Sequence, residues 1–523
     1  MAPVTAVLSL LLAALAAASS AATAPQQQPN LVFVMADDLG SNDVGYSDKT
    51  VLSPTIDAFA AGGIKLTNLY AFKWCAPSRA SFMTGRYVPM HGFEVASDGG
   101  GKGVNGTGPS PAVPLRFRFL SETLLQAGYA TIMIGKWHLG YPTPAYTPEA
   151  RGFQEYLGYL SGAEDYYTHV KTPVPACGET VDLWRGSSHS NGTVTTSQPA
   201  SNTYFPEYSI FIFTAFLEAQ IAAHVANKGP HGQKPLFIYA SFQNVHAPLE
   251  APRRFFDLYK SQGADVPGGA DCLWSKQKSK DGTFQSGFNC DNDDTAPGVK
   301  GSFGGLNCYC NRLVVKAQVS ALDEAVGNLT RSMQAAGLWN NTVLAFMGDN
   351  GGPTFEGHSN TPLRGGKLNF FEGGVRTAGF INSPLLPAAA AGSTYSGILH
   401  VTDWYATFAN LAGAKLPAPT DSSLAINGVD AWPALSASRP GLDSSDAATF
   451  RVLSAGWLDD SAPVRSEVLI ADSILRVGKW KLVVGGDQKS LQGSPFLRDC
   501  TLGTNGGWLA PPSDRSSNAN LCP

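Results

Sequence analysis

Cys75 stands in the run Trp74-Cys75-Ala76-Pro77-Ser78-Arg79-Ala80-Ser81-Phe82-Met83-Thr84-Gly85-Arg86. The residue types favour a helix, with Pro77 suited to a first turn and Gly85 to a stop. A side chain at such an N-terminus faces free N–H groups that favour anions, and Arg79, one turn on, can point back to the same spot. A lone cysteine is otherwise a small hydrophobe or half a disulfide. Two further runs, Asp37-Asp38 and Asp349-Asn350, offer only oxygen ligands, which suit calcium or magnesium and not zinc. Read alone, Asp349-Asn350-Gly351-Gly352 is a turn, whereas adjacent carboxylates such as Asp37-Asp38 repel unless a cation offsets them. Lys136 and Lys367 would singly be solvated surface charges. With Arg79 and a metal they form a set able to neutralise the oxygens of a tetrahedral anion during its transfer. His138 and His246 supply general acid and base near neutral pH.

Elements must bring these residues together. Residues 31–36 form a continuous apolar run, the pattern of a strand buried on both faces, and end at Asp37-Asp38. Similar strands at 129–134, 235–242 and 342–347 run out at Lys136/His138, at His246 and at Asp349/Asn350. Between them, helical spacing falls at 55–61, 121–126, 208–227 and 317–336, with a further short strand at 64–69. This alternation predicts an α/β fold, a large and mostly parallel central sheet flanked by helices. Such sheets place their sites outside the carboxyl ends of strands, and four polar strand ends point to one site. Residues 473–484 predict a smaller C-terminal antiparallel sheet.

The 523 residues suffice for a large core and a smaller domain, and 15% charged residues with a net charge of −4 exclude a basic nucleic-acid surface. Residues 4–18 are an Ala/Leu-rich run followed by small residues, so 1–24 reads as a secretory signal peptide. No later segment has the length of a membrane span, and stable membrane insertion is not expected. The sequons at Asn105, Asn191, Asn328 and Asn340 agree with secretion. Of eight cysteines, the seven besides Cys75 are Cys177, Cys272, Cys290, Cys308, Cys310, Cys500 and Cys522, which in a secreted chain imply disulfides. Residues 262–311, rich in Gly and Cys, read as a long disulfide-tied loop. The expected domains are 25–435, containing that insertion, and 436–523, with a Ser/Ala/Pro-rich connection at 433–460.

The Cys75 run resembles the signature of the sulfatases. The resemblance extends from Asn30 to about Trp432 through Ala36-Asp37-Asp38-Leu39-Gly40, Gly135-Lys136-Trp137-His138-Leu139-Gly140, Asp349-Asn350-Gly351-Gly352, Pro362-Leu363-Arg364-Gly365-Gly366-Lys367 and Phe371-Glu372-Gly373-Gly374-Val375-Arg376. It implies an alkaline-phosphatase-like fold and sulfate-ester hydrolysis by a formylglycine made from Cys75 by a formylglycine-generating enzyme during synthesis. It further implies one Ca2+ held by Asp37, Asp38, Asp349, Asn350 and residue 75. Arg79 and Lys136 would hold the hydrated aldehyde, His246 and Lys367 the sulfate, with His246 protonating the leaving alcohol and His138 taking the proton that expels sulfate. Within the family the chain looks most like arylsulfatase B, the N-acetylgalactosamine-4-sulfatase, through Gly162-Ala163-Glu164-Asp165-Tyr166-Tyr167, Val245-His246-Ala247-Pro248-Leu249 and Asp323 to Asn328. The implied partners are a sulfated sugar or aryl sulfate, in the secretory pathway, outside the cell or in a lysosome-like compartment. Two readings stay open beside this: a silent sulfated-glycan-binding protein, and a phosphoesterase of the same superfamily.

Overall fold

In a computed structural model of the chain, the residues described are 27–94, 112–174, 178–200, 204, 207–227, 234–261, 287–289, 308–416, 424–437, 464–472 and 474–483. The first elements in chain order are β1 (Asn30–Ala36), α1 (Pro54–Gly62), β2 (Ile64–Leu66), α2 (Cys75–Thr84), α3 (Leu120–Gln126), β3 (Ala130–Lys136), β4 (Glu155–Tyr159), β5 (Trp184–Ser188) and β6 (Val194–Pro199). They are followed by α4 (Ser209–Ala226), β7 (Leu236–Ser241), α5 (Cys308–Ala335), β8 (Thr342–Gly348), β9 (Gly379–Asn382), β10 (Ser393–Tyr395) and α6 (Asp403–Leu411). Three short strands follow: β11 (Glu467–Ala471), β12 (Ile474–Val477) and β13 (Trp480–Val483).

Strands β1 to β10 make one sheet in the order β10-β2-β9-β8-β1-β7-β3-β4-β5-β6. Its centre, β8-β1-β7-β3-β4, is parallel throughout, and the flanking pairs β8-β9, β9-β2, β4-β5 and β5-β6 are antiparallel. The register sets Ala36 beside Gly348, Met35 beside Ser241 and Ser241 beside Gly135. The ends of the four strands singled out from sequence are therefore neighbours.

The apolar runs are continuous because both faces of the sheet are covered. Val32, Val34, Ile134, Ile238 and Phe346 pack under α1, α4 and α5, while Leu31, Phe33, Met35, Tyr239 and Met347 pack under α2, α3 and α6. The split follows the two-residue period of a strand. Phe33 of β1 stacks on Phe82 of α2 at 4.0 Å and meets the edges of Trp404 and Phe408 of α6 at 5.7 and 6.0 Å. That aromatic group fixes the Cys75 helix against the strand carrying Asp37. Strands β11–β13 form the small antiparallel sheet. Val468, Ile470 and Ile474 of it share a cluster with Tyr70, Phe72 and Phe370.

Several sequence expectations need correction. The strand expected at 64–69 is broken: Ile64–Leu66 joins the main sheet and Leu69–Tyr70 pairs separately with Leu399–His400. Helix α5 begins at Cys308, inside the stretch read as a loop, since its apolar positions continue back through Leu313 and Val314 into the core. Residues 287–289 also pair as a strand with Glu250–Pro252, just after His246. One later segment does have the length and composition of a membrane span, α4 with 18 residues. Its Ile210, Ile212, Phe213, Leu217 and Ile221 are buried in the core, so one face of it is a core face. The signal peptide, Asn105, Cys177, Cys272, Cys290, Cys500, Cys522 and residues 438–463 and 484–523 lie outside the described residues.

Candidate active site

Each polar strand end is anchored to its neighbour by main-chain bonds. Asp37 N–H donates to Asn244 O at 2.9 Å, Val245 N–H to Asp37 O at 2.7 Å and Asp349 N–H to Ala36 O at 3.0 Å. Among the described non-glycine residues, four have left-handed φ, and two of these are Asp38 (59°) and His138 (54°), with Leu368 (77°), next to Lys367, a third. Unfavourable backbone of this kind persists where the surrounding structure imposes it, and it clusters at functional sites.

The glycines of the later motifs allow main chain to lie on main chain. A Cβ on Gly351 would stand 1.6 Å from Gly373 O, one on Gly373 2.1 Å from Gly365 O, and one on Gly366 2.4 Å from Gly352 O. Only glycine permits such approach. Gly373 N–H donates to Arg364 O at 2.8 Å and Gly351 N–H to Gly374 O at 3.0 Å. This seam sets the segment carrying Lys367 against the Gly351-Gly352 turn, with Lys367 N–H on Gly352 O at 3.3 Å.

Helix α2 starts at Cys75 and stops at Gly85, whose φ is 66°. Ser78, inside its first turn, donates from Oγ to Trp74 O at 3.1 Å and accepts from Phe72 N–H at 2.9 Å. The Cys75 thiol is buried, and its Sγ lies within 4.8 Å of ligand atoms of Asp37 and His246. Carboxylate oxygens of Asp37, Asp38 and Asp349 lie within the same 4.8 Å of one another. Arg79, fully buried, donates from Nε and Nη2 to Asp349 Oδ2 at 3.0 and 2.8 Å, and from Nη1 to Ser241 Oγ. Its Nη2 is 3.6 Å from Asp37 Oδ2. Lys136 Nζ donates to Asp37 Oδ2 at 2.5 Å and Lys367 Nζ to Asp38 Oδ2 at 2.6 Å. Asn350 Nδ2 donates to Asp38 Oδ1 at 2.7 Å. His246 Nε2 is 3.5 Å from Asp38 Oδ2. His138 enters by position, buried two residues beyond Lys136 with its N–H on Leu160 O at 3.2 Å.

Burial and charge set the protonation states. Burial alone would raise Asp38, but Lys367, then His246 and Lys136, hold its carboxyl well below the ordinary range. Asp349 moves the other way, raised by burial and then by the neighbouring Asp37 charge against the pull of Arg79. Burial pushes the Cys75 thiol up to about 11 despite Lys136 and Lys367, so the unmodified side chain is a protonated thiol and a poor nucleophile at neutral pH. Burial, then Lys367, takes His246 down to about 3, leaving a neutral imidazole. Its Nδ1 is 2.5 Å from Ala247 O, a carbonyl that can only accept. Nδ1 therefore carries the proton, and Nε2 is the atom facing the cluster.

The donor set fits a hard cation. Asp37 Oδ1 and Asn350 Oδ1 are both buried and make no hydrogen bond. Two orphaned oxygens beside three clustered carboxylates are what an oxygen-coordinated ion would satisfy. The structure thus brings together Asp37, Asp38, Cys75, Arg79, Lys136, His246, Asp349, Asn350 and Lys367. Ser241 escaped the sequence reading: its Oγ accepts from Arg79 and donates to Lys136 O at 2.7 Å. The available signal was a hydroxyl at the last position of an otherwise apolar strand.

This is a metal-ready, cation-rich site at the carboxyl end of a parallel sheet. The family model described as Sulfatase matches residues 29–414, and the chain belongs to that family. It is 32% identical over 473 residues to mouse arylsulfatase J, covering 88% of this chain and 65% of that protein, and so spans less than two thirds of that relative's length. It is 28% identical over 451 residues to mouse N-acetylgalactosamine-6-sulfatase, covering 83% of this chain and 71% of that protein. Among solved structures, Ps i-CgsB in complex with k-i-k-neocarrahexaose matches with TM-score 0.62 and 25% identity, over 88% of this chain and 84% of that one.

Proposed function

We propose that the chain hydrolyses sulfate esters, with Cys75 converted to formylglycine and one calcium ion bound by Asp37, Asp38, Asp349, Asn350 and residue 75. The observation that carries this is the convergence of the Cys75 and His246 ligand atoms on Asp37, which also belongs to the three-carboxylate group. Calcium, when bound, offsets negative charge on the ester and lowers the barrier to attack at sulfur. Arg79 and Lys136 orient the hydroxyl at position 75, Lys367 and His246 bind sulfate oxygens, and His246 Nε2 delivers a proton to the leaving alcohol. The ester's negative charge favours protonation of that imidazole, opposing the burial and the Lys367 charge that keep it neutral in the free site. His138, at the strand end shared with Lys136, takes the proton whose loss expels sulfate.

The finer reading is an N-acetylgalactosamine-4-sulfatase-like substrate, supported by the Gly162 to Tyr167, Val245 to Leu249 and Asp323 to Asn328 runs. Entry to the secretory pathway is supported by the apolar leader and by sequons at Asn191 and Asn340, both exposed, and the absence of stable membrane insertion by the burial of one face of α4 in the core. Modification at Cys75 requires a formylglycine-generating enzyme in that pathway. We retain the division into 25–435 and 436–523, supported by the family match over 29–414 and the separate small sheet at 467–483.

Two measurements test the activity. Mass spectrometry of the tryptic peptide containing residue 75 is expected to find formylglycine, and the purified protein to turn over an aryl sulfate far faster than the matching aryl phosphate. Unmodified Cys75 throughout, with sulfated glycan bound and not cleaved, would establish a silent binder. Preference for the phosphate would establish a phosphoesterase.

A further inference from the structure

Beyond β1 and β8 the ladder between them stops, and the two chains that carry the clustered carboxylates continue as loops. The last rung sets Ala36 beside Gly348, and Asp349 N–H still donates to Ala36 O. Asp38 N–H then donates to Asp349 Oδ1 at 3.1 Å. Past that point, among the described residues, no strand pairing holds 39–43 to 351–352. The carboxylates of Asp37, Asp38 and Asp349 repel one another, so loops free to separate would do so. Ligands that must keep one spacing need support from outside the set.

Residues 358–360 give that support. Asn360, 1% exposed, accepts at Oδ1 from Gly352 N–H at 3.0 Å and from Ser41 N–H at 3.4 Å. Its Nδ2 donates to Gly352 O at 2.8 Å and to Gly365 O at 3.1 Å. A carboxylate could not donate the last two bonds, and an apolar side chain could make none of the four. One buried carboxamide thus joins the loop after Asp37-Asp38, the loop after Asp349-Asn350 and the turn before Lys367. Main chain adds Asn42 N–H on Ser359 O at 2.9 Å, and Ser41 Oγ donates to Asn360 O at 3.1 Å. Asp43 fastens the same loop from the other side. Its buried carboxylate accepts from Gly40 N–H and Ser359 N–H, both at 3.0 Å, and pairs with Arg312 of α5. Arg312 Nη2 also reaches Asp48 Oδ2 at 3.1 Å, which ties the loop to a helix packed on the sheet.

We propose that Asn360, fastened by Asp43, is a positioning residue of the cation site. It ligates nothing itself and fixes the separation of Asp37-Asp38 from Asp349-Asn350. This role rests on the calcium site proposed above and deepens it. Calcium chloride is titrated calorimetrically into the purified full chain after removal of metal by chelation, and thermal midpoints are recorded on the same samples. Asn360→Ala should weaken calcium binding about 10–100-fold, the usual effect of losing a residue that orients metal ligands. Asn30→Ala is the matched control. That side chain is buried too, at the opposite end of β1, accepting from Leu236 N–H at 2.9 Å and donating to Leu338 O and Asn341 O at 3.1 and 3.2 Å. Its loss should lower the thermal midpoint and leave calcium affinity unchanged. Asp43→Asn, which turns an N–H donor on main-chain N–H donors, should weaken calcium binding in the same direction and carries the test if Asn360→Ala does not fold. Unchanged calcium affinity in the folded site variants, or an equal loss in Asn30→Ala, would overturn the positioning role and leave the calcium site standing. A parent that turns over aryl sulfate without binding calcium would remove the calcium site and this role with it.

Discussion

Arg79 donates at once to a carboxylate and a hydroxyl, and only the hydroxyl, on Ser241, can be removed without unpairing a charge. Ser241 touches no reacting atom in the proposed chemistry, yet its Oγ bridges Arg79 to the main chain of Lys136, the two cations that would orient the nucleophile. Ser241→Ala is expected to lower kcat about ten-fold, the effect of one buried charge-assisted hydrogen bond, with KM for an aryl sulfate nearly unchanged. A fall in thermal stability alone, with kcat intact, would make Ser241 merely structural. At this scale the sequence was informative because charged residues at the ends of apolar runs have few bland explanations when four occur together. Ser241 was hidden because a hydroxyl at a strand end has many. The depressed His246 was hidden too, since its neutrality comes from burial and Lys367, more than a hundred residues away in sequence.

The glycine seam shows how elements, and not side chains, place Lys367. Gly373→Ala would force a methyl group to within 2.1 Å of Gly365 O, whereas a Cβ on Gly192, in an exposed turn, meets nothing within 4 Å. Gly373→Ala should therefore destabilise by about 1–3 kcal/mol and lose activity as Lys367 is displaced. Gly192→Ala should cost only its backbone strain at φ 82°, about 1 kcal/mol, and keep full activity. Chemical denaturation and aryl sulfate assays of the two variants check this contrast. Four of the five parallel strands at the centre of the sheet, β8, β1, β7 and β3, were legible because strands buried on both faces leave unbroken apolar runs, whereas β4, with Glu155 and Gly158 in five residues, was not. The antiparallel flanks were not: β5 and β6 contain Trp184-Arg185-Gly186-Ser187-Ser188 and Val194-Thr195-Thr196-Ser197-Gln198-Pro199, short, polar and partly exposed, with nothing to distinguish them from loop.

Across the whole molecule, the small C-terminal sheet is tied to the main body by Arg465, which pairs with the buried Asp403 of α6 and reaches Tyr87. Asp403 Oδ1 and Oδ2 also accept from Val429 N–H and His400 N–H, at 2.9 and 2.8 Å. Arg465→Met would leave that carboxylate buried without its cation, at a cost of about 3–5 kcal/mol. Limited proteolysis should then cut within 464–483 before the central sheet; equal resistance in variant and parent would mean that apolar packing alone holds the hairpin. The pairing was unreadable in the sequence, because more than sixty positions separate its partners. The burial of Cys75, 1% exposed, has a consequence for the order of events during synthesis. An enzyme that oxidises this thiol needs it accessible, and the segment carrying Lys367 emerges from the ribosome roughly 300 residues later, a delay on the order of tens of seconds at ordinary elongation rates. The oxidation proposed above would therefore have to precede closure of the fold over residue 75, and a thiol missed until then would be sealed inside the folded protein.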